Sequence, residues 1–224
     1  MSSEEFASLF PRLYHMAEEG SWDSIVRFGL LSTTALLDLF EVAADERRRI
    51  ESERRPRSVV IEHAVHGRAV IRDQKPMDDK GLVRALQDGL TPRAWYKLLN
   101  KHVFFWTSET RLQKLLSARE YRQRRQLVLT IRTSDLLALY ERDVLLSPMN
   151  SGATKPYPHP RGRKTFLPMS EYPLAAWRRK RPKGDSVVEV LVKGGVRGIA
   201  ALVEKAEHLA GGRAVEVIYP PRAK

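Results

Sequence analysis

Cysteine is absent from the 224 residues, which excludes disulfides, a thiolate nucleophile and Cys-ligated zinc. No apolar run reaches the ~20 residues that span a bilayer. There is no Walker-type phosphate loop, no His-Glu-x-x-His and no Gly-x-Ser-x-Gly. Gly194-Gly195 and Gly211-Gly212 read as turns rather than dinucleotide fingerprints. Residues 1–10 carry two glutamates and no basic stretch ahead of an apolar core, so no secretory leader is expected. The chain is expected to be soluble and cytoplasmic, with no metal. Acid is also in short supply. Lys plus Arg number 39 against 27 Asp plus Glu, a formal net charge of +12, which favours polyanionic partners: nucleic acid first, an acidic membrane surface second.

The length suits one sizeable core, and residues 1–224 are read as a single domain. Two runs are strongly strand-forming: Gln126-Leu-Val-Leu-Thr-Ile-Arg132 and Ser186-Val-Val-Glu-Val-Leu-Val192. The second holds one carboxylate, Glu189. By alternation Val188, Val190 and Val192 share one face, and Glu189 shares the other with Val187 and Leu191. A carboxylate between apolar neighbours is either an edge-strand charge or a group put to use.

Shorter elements surround these runs. Arg12-Leu-Tyr-His-Met16 and Val103-Phe-Phe-Trp106 read as strands. Ser21 is a candidate N-cap, Gly29 a helix end, Ser32 or Thr33 a second cap, and Thr91-Pro92 a helix start. Ser134 is expected to cap a helix over 136–140. Residues 59–66 show no clean period, and 69–77 look extended into a Pro-stopped loop. Residues 81–90 and 199–209 read as helices and 214–219 as a last strand. Residues 147–186 are rich in proline and basic side chains and are expected to form one long loop.

Three positions stand out for chemistry: Tyr14-His15, Arg72 and Glu189. Leu13-Tyr-His-Met16, followed by Ile25-Val-Arg-Phe-Gly-Leu-Leu-Ser32, resembles the opening of the DarT-type ADP-ribosyltransferase toxins. Val70-Ile-Arg-Asp-Gln-Lys-Pro-Met77 resembles their dinucleotide-binding arginine segment. Val103-Phe-Phe-Trp106 resembles their central aromatic strand, and Val188-Glu-Val-Leu-Val192 the strand of their catalytic glutamate. The order of the blocks is the family's. Two positions depart from it: Ala17 stands where the family has Thr, and Ser21 where it has Asn. The chain is also similar to uncharacterised bacterial proteins in Asn150-Ser-Gly152 and Arg161-Gly162.

The resemblance implies an α+β fold of the ADP-ribosyltransferase type, with two small, mostly antiparallel sheets around an NAD cleft and helices outside. It implies an NAD+-dependent mono-ADP-ribosyltransferase, acting on DNA or RNA in view of the charge, with a toxin's antitoxin as partner. Glu189 and Arg72 are the expected catalytic residues. The cofactor would be held by His15, Met16 and Arg72, with Phe105 or Trp106 either walling the nicotinamide or serving as plain core. Nucleic acid would meet Arg161, Arg163, Lys164, Arg178, Arg179, Lys180 and Arg181, with Tyr172 and Trp177 offering faces for base stacking. Two other readings are an NAD-dependent RNA 2′-phosphotransferase and a non-catalytic nucleic-acid-binding module in which Glu189 is an edge charge.

Overall fold

The two runs richest in strand-forming residues become interior strands of one sheet. The computed structural model describes residues 1–181 and 185–220. Its strands are β1 (Arg12–Glu18), β2 (Leu30–Leu31), β3 (Val59–His63), β4 (Gly67–Ile71), β5 (His102–Trp106), β6 (Arg125–Arg132), β7 (Val144–Ser147), β8 (Leu167–Pro168), β9 (Glu189–Lys193), β10 (Gly195–Val196), β11 (Val203–Ala210) and β12 (Arg213–Tyr219). The protein is α+β. Its main sheet is antiparallel, eight-stranded and ordered β12-β11-β6-β1-β5-β9-β7-β8, with two-stranded sheets β10-β2 and β3-β4 beside it. No helix among the described residues is long and apolar enough to cross a membrane.

The main sheet is unevenly joined. Strands β1 and β6 pair over seven positions, and β5 and β9 over five. Between β1 and β5 the single paired position is Tyr14 with Trp106. The sheet is therefore two four-stranded halves joined at one residue pair. Along one face a large apolar core runs across both halves, through Leu13, Leu129, Phe105 and Val190. The opposite face is covered separately. Leu112 and Leu116, on the helix Glu109–Leu116, pack on Met16 and Val128. Trp95 and Leu99, on the helix Pro92–Asn100, pack with Leu191. A cleft is left between these two covers.

Local chemistry accounts for most element ends. The Thr91 hydroxyl accepts from the Ala94 amide, and Pro92 fills the first turn, where no amide is needed. Ser32 and Asp78 cap the helices Thr33–Leu39 and Asp79–Ala85 in the same way. Gly29 closes its helix at φ 91°, and a Cβ there would lie 2.4 Å from Arg197 Cα. Ser21 makes no capping bond through its side chain.

Several expectations are corrected. Residues 59–71 form the hairpin β3–β4, which packs Ile61 and Ile71 against Leu37, Phe40 and Ile50. Residues 199–209 are not one helix: Ile199–Leu202 is helical and Val203–Ala210 is strand. Register shifts along β11 bury Val203, Ala206 and Leu209, a spacing of three that imitates a helical period. The helix expected to be capped by Ser134 begins at Thr133, whose hydroxyl donates to the Phe10 carbonyl. The stretch 147–186 is not one loop. It holds β8, the helix Leu174–Lys180 and short turns of helix at Arg163–Thr165 and Met169–Glu171. Pro182 and Lys183 lie outside the described residues. Glu189 is no edge charge, because β9 lies between β5 and β7 and buries the residue to 4% exposure.

Candidate active site

Alternation along β9 sends Val190 and Val192 into the large core and Leu191 to the other face. Glu189 shares the face of Leu191 as expected, while Val187, ahead of the strand, joins the large core. Glu189 stands opposite Trp106 on β5 and Ser147 on β7. The approach to β9 is pinned by Val188 N–H donating to Ser147 O at 2.8 Å and the Thr107 hydroxyl donating to Val187 O at 2.7 Å. Burial pushes the Glu189 carboxyl up to about 7, against the pull of Ser151 and of the Arg161 and Arg111 charges. A carboxyl so placed exchanges its proton near neutral pH, as general acid–base work requires.

The Ser151 amide donates to Glu189 Oε2 at 3.1 Å. That amide is fixed from behind by Arg161, which is 1% exposed. The Arg161 guanidinium donates to Ser151 O at 2.8 Å, Ala153 O at 2.6 Å and His159 O at 3.1 Å. The backbone around it bonds to Ala85 and Gln87, and Trp95 Nε1 adds a bond to Ser151 O at 3.4 Å. The Asn150-Ser-Gly152 and Arg161-Gly162 elements thus form one clamp behind the carboxylate. Gly162 must be small here, since a Cβ would lie 2.3 Å from Asp88 Oδ2.

His15 occupies the gap where β1 and β5 stop pairing. Its Nδ1 lies 2.8 Å from Phe104 O, and because a carbonyl only accepts, Nδ1 carries the proton. Burial holds its pKa down to about 4, so the ring is neutral at pH 7 and Nε2 keeps a free lone pair. The Phe105 ring packs 5.7 Å from the imidazole.

Arg72 leaves the end of β4 and donates to Met16 O at 3.0 Å. Its guanidinium lies 3.9 Å from Glu18 and 5.2 Å over the Tyr121 ring. Glu18 also binds Arg124 at 2.7 Å, and the Tyr121 hydroxyl donates to Asp73 at 2.8 Å. Beneath them Arg55 donates to Arg72 O at 3.1 Å and to Ile50 O at 2.6 Å, with its pKa lowered by burial to about 10. Sequence reasoning missed Glu18, Arg55, Asp73 and Tyr121, none of which lies in a recognisable spacing.

His15, Met16, Arg72, Phe105, Trp106 and Glu189, the six residues expected at catalysis and cofactor, all line one cavity of about 460 Å³. Cavities of this size suit small-molecule ligands. The surface assignments divide. Arg163, Lys164, Arg178, Arg179 and Lys180 are exposed. Arg161 is buried and committed to carbonyls, so it meets no phosphate backbone. Arg181 is half-buried and donates to Pro148 O and Asp185 O. Tyr172 is in the core with its hydroxyl on Ser186 O, and Trp177 is taken up by Lys180 and Arg181, so neither offers a free stacking face.

Residues 11–203 match the family of unknown function DUF7002. The chain belongs to that family. All six cavity residues named above, and the clamp of Ser151 and Arg161, lie within the DUF7002 span, whereas β12 lies beyond it. No curated protein and no solved structure gives a match.

Proposed function

We propose that this chain transfers ADP-ribose from NAD+ to an acceptor, with nucleic acid as the acceptor class. The observation that carries the reading is the buried Glu189 carboxyl at a cavity shared with His15 and Arg72, in a sheet whose two halves are joined at one residue pair. Such a split pair of sheets fits the ADP-ribosyltransferase type of fold that the sequence resembles.

In this reading the acceptor's nucleophilic atom forms a bond to the anomeric carbon of the nicotinamide ribose. The bond from that carbon to nicotinamide breaks, and nicotinamide leaves as a neutral base. Positive charge builds on the sugar as the bond stretches, and the Glu189 carboxylate offsets it. The proton lost by the acceptor passes to Glu189, whose pKa of about 7 suits uptake and release. His15 Nε2 accepts from a ribose hydroxyl, and Arg72 pairs with the diphosphate. Trp106, cross-strand from Glu189, forms the apolar wall beside the nicotinamide, and Phe105 belongs to the core on the other face.

Incubation with labelled NAD+ and single-stranded DNA or RNA tests this. Label is expected in nucleic acid, and Glu189→Gln should lower it at least ~10²-fold. Absence of both transfer and NAD+ consumption would sink the reading. Arg68 borders the cavity along with Arg72, which favours keeping RNA 2′-phosphotransfer as a second reading. A 2′-phosphorylated RNA in the same incubation distinguishes it by loss of that phosphate.

A further inference from the structure

Ser151 has three polar groups, and the fold engages two of them. The amide donates to Glu189 and the carbonyl accepts from Arg161 and Trp95. The hydroxyl is buried, in a residue 1% exposed, and has no hydrogen-bond partner among the described residues. It lies close enough to the carboxylate to favour its charge, without forming a hydrogen bond to it. Buried hydroxyls are seldom left unpaired, and this one belongs to a residue lining the cavity with Glu189.

We propose that the Ser151 hydroxyl is a substrate-contacting group that hydrogen-bonds a hydroxyl of the sugar facing Glu189. The proposal rests on the ADP-ribose reading. A serine hydroxyl both donates and accepts, which matches a sugar hydroxyl. An anionic group would be repelled by the adjacent carboxylate, so phosphate does not suit this position. The hydroxyl is also preorganised, because Arg161 and Trp95 fix its backbone before any ligand arrives.

Two variants test the contact. Ser151→Ala keeps the amide and carbonyl and removes only the hydroxyl. Its NAD+ dissociation constant is compared with wild type at about pH 9, where Glu189 is ionised in both proteins. A weakening of about threefold to tenfold is expected there. Ser151→Cys places a single thiol in a chain that has no other. Saturating NAD+ should slow alkylation of that thiol. Unchanged NAD+ affinity in Ser151→Ala, or a thiol that NAD+ leaves unprotected, overturns the contact while the ADP-ribose reading stands. A loss seen at neutral pH that vanishes at about pH 9 also overturns it, because the hydroxyl would then act only on the Glu189 charge. A wild-type protein that binds no NAD+ overturns the ADP-ribose reading, and this contact with it.

Discussion

His15 Nδ1 donates to the Phe104 carbonyl at 2.8 Å, at the point where β1 and β5 stop pairing. A side chain thus stands where the backbone ladder would have continued. The bond fixes the tautomer and turns Nε2 into an acceptor. The ¹⁵N spectrum of His15 should show a protonated Nδ1 and a bare Nε2, and should remain so at about pH 5.5, well below an ordinary histidine pKa. An imidazolium signal at that pH would contradict the burial argument.

Glu189 and His15 act in opposite directions on stability. His15 titrates near 4 in the folded protein and near 6.5 unfolded, so stability falls as pH drops through that window. Glu189 keeps its proton up to about 7 when folded but loses it near 4.5 when unfolded. Stability therefore falls as pH rises from 4.5 to 7, and the two effects largely offset each other. Glu189→Gln removes one of them. The variant should match wild type near pH 4.5 and exceed it by about 3 kcal/mol above pH 7. Thermal unfolding at both pH values checks this, and a variant less stable than wild type at high pH would refute it.

Among the described residues no carboxylate bonds Arg161, which spends its guanidinium on three carbonyls. Arg161→Met should cost about 3 kcal/mol or more, since those carbonyls lose their donors in a buried place. Arg161→Lys keeps the charge but lacks the fork, so it should recover only part of the stability. In both variants the Glu189 carboxyl is less well held, and in Arg161→Met its pKa should rise. Carboxyl ¹³C titration reads that shift directly, and an unmoved Glu189 would show that the clamp does not reach it.

Arg72→Ala should weaken NAD+ binding at least about tenfold, the scale of a lost charge-assisted pair. It should also lower the melting temperature, because Arg72 ties Met16 O and Glu18 to β4. Calorimetry on folded variant separates the two effects. Unchanged affinity alongside a lowered melting temperature would make Arg72 purely structural.

The sequence displayed the parts of the site whose chemistry is local. A carboxylate inside a valine run, an aromatic cluster and a histidine beside a tyrosine are visible without a fold. The clamp is half visible: Asn150-Ser-Gly152 and Arg161-Gly162 stand out, but Arg161 reads as one more surface charge. Composition cannot separate an arginine that binds carbonyls from one that meets solvent. The same limit hid Glu18 and Asp73, whose partners Arg124 and Tyr121 are 106 and 48 residues away. Strand β11 reads as a helix because bulges give its buried residues a spacing of three. The split of the main sheet has no local signature, since it depends on which strands fail to pair.

Five exposed cations follow the clamp. Arg163 and Lys164 form one group, and Arg178, Arg179 and Lys180 end the helix Leu174–Lys180. With Arg161 and Arg181 committed to carbonyls, these five are the residues of the expected set free to meet a phosphate backbone. Each phosphate neutralised on duplex DNA releases condensed counterion, so binding should weaken steeply with salt. Replacing the five by Ser should flatten the log–log slope by about 0.7 for each contact made to a single strand. It should also lower transfer to nucleic acid. NAD+ cleavage without acceptor should be unchanged, because none of the five lines the cavity. Base stacking should contribute little, as Tyr172 is buried and Trp177 is already covered by Lys180 and Arg181. Affinity should therefore vary little with base sequence. Equal salt slopes and equal transfer in variant and wild type would remove nucleic acid from this face and make protein the acceptor to test next.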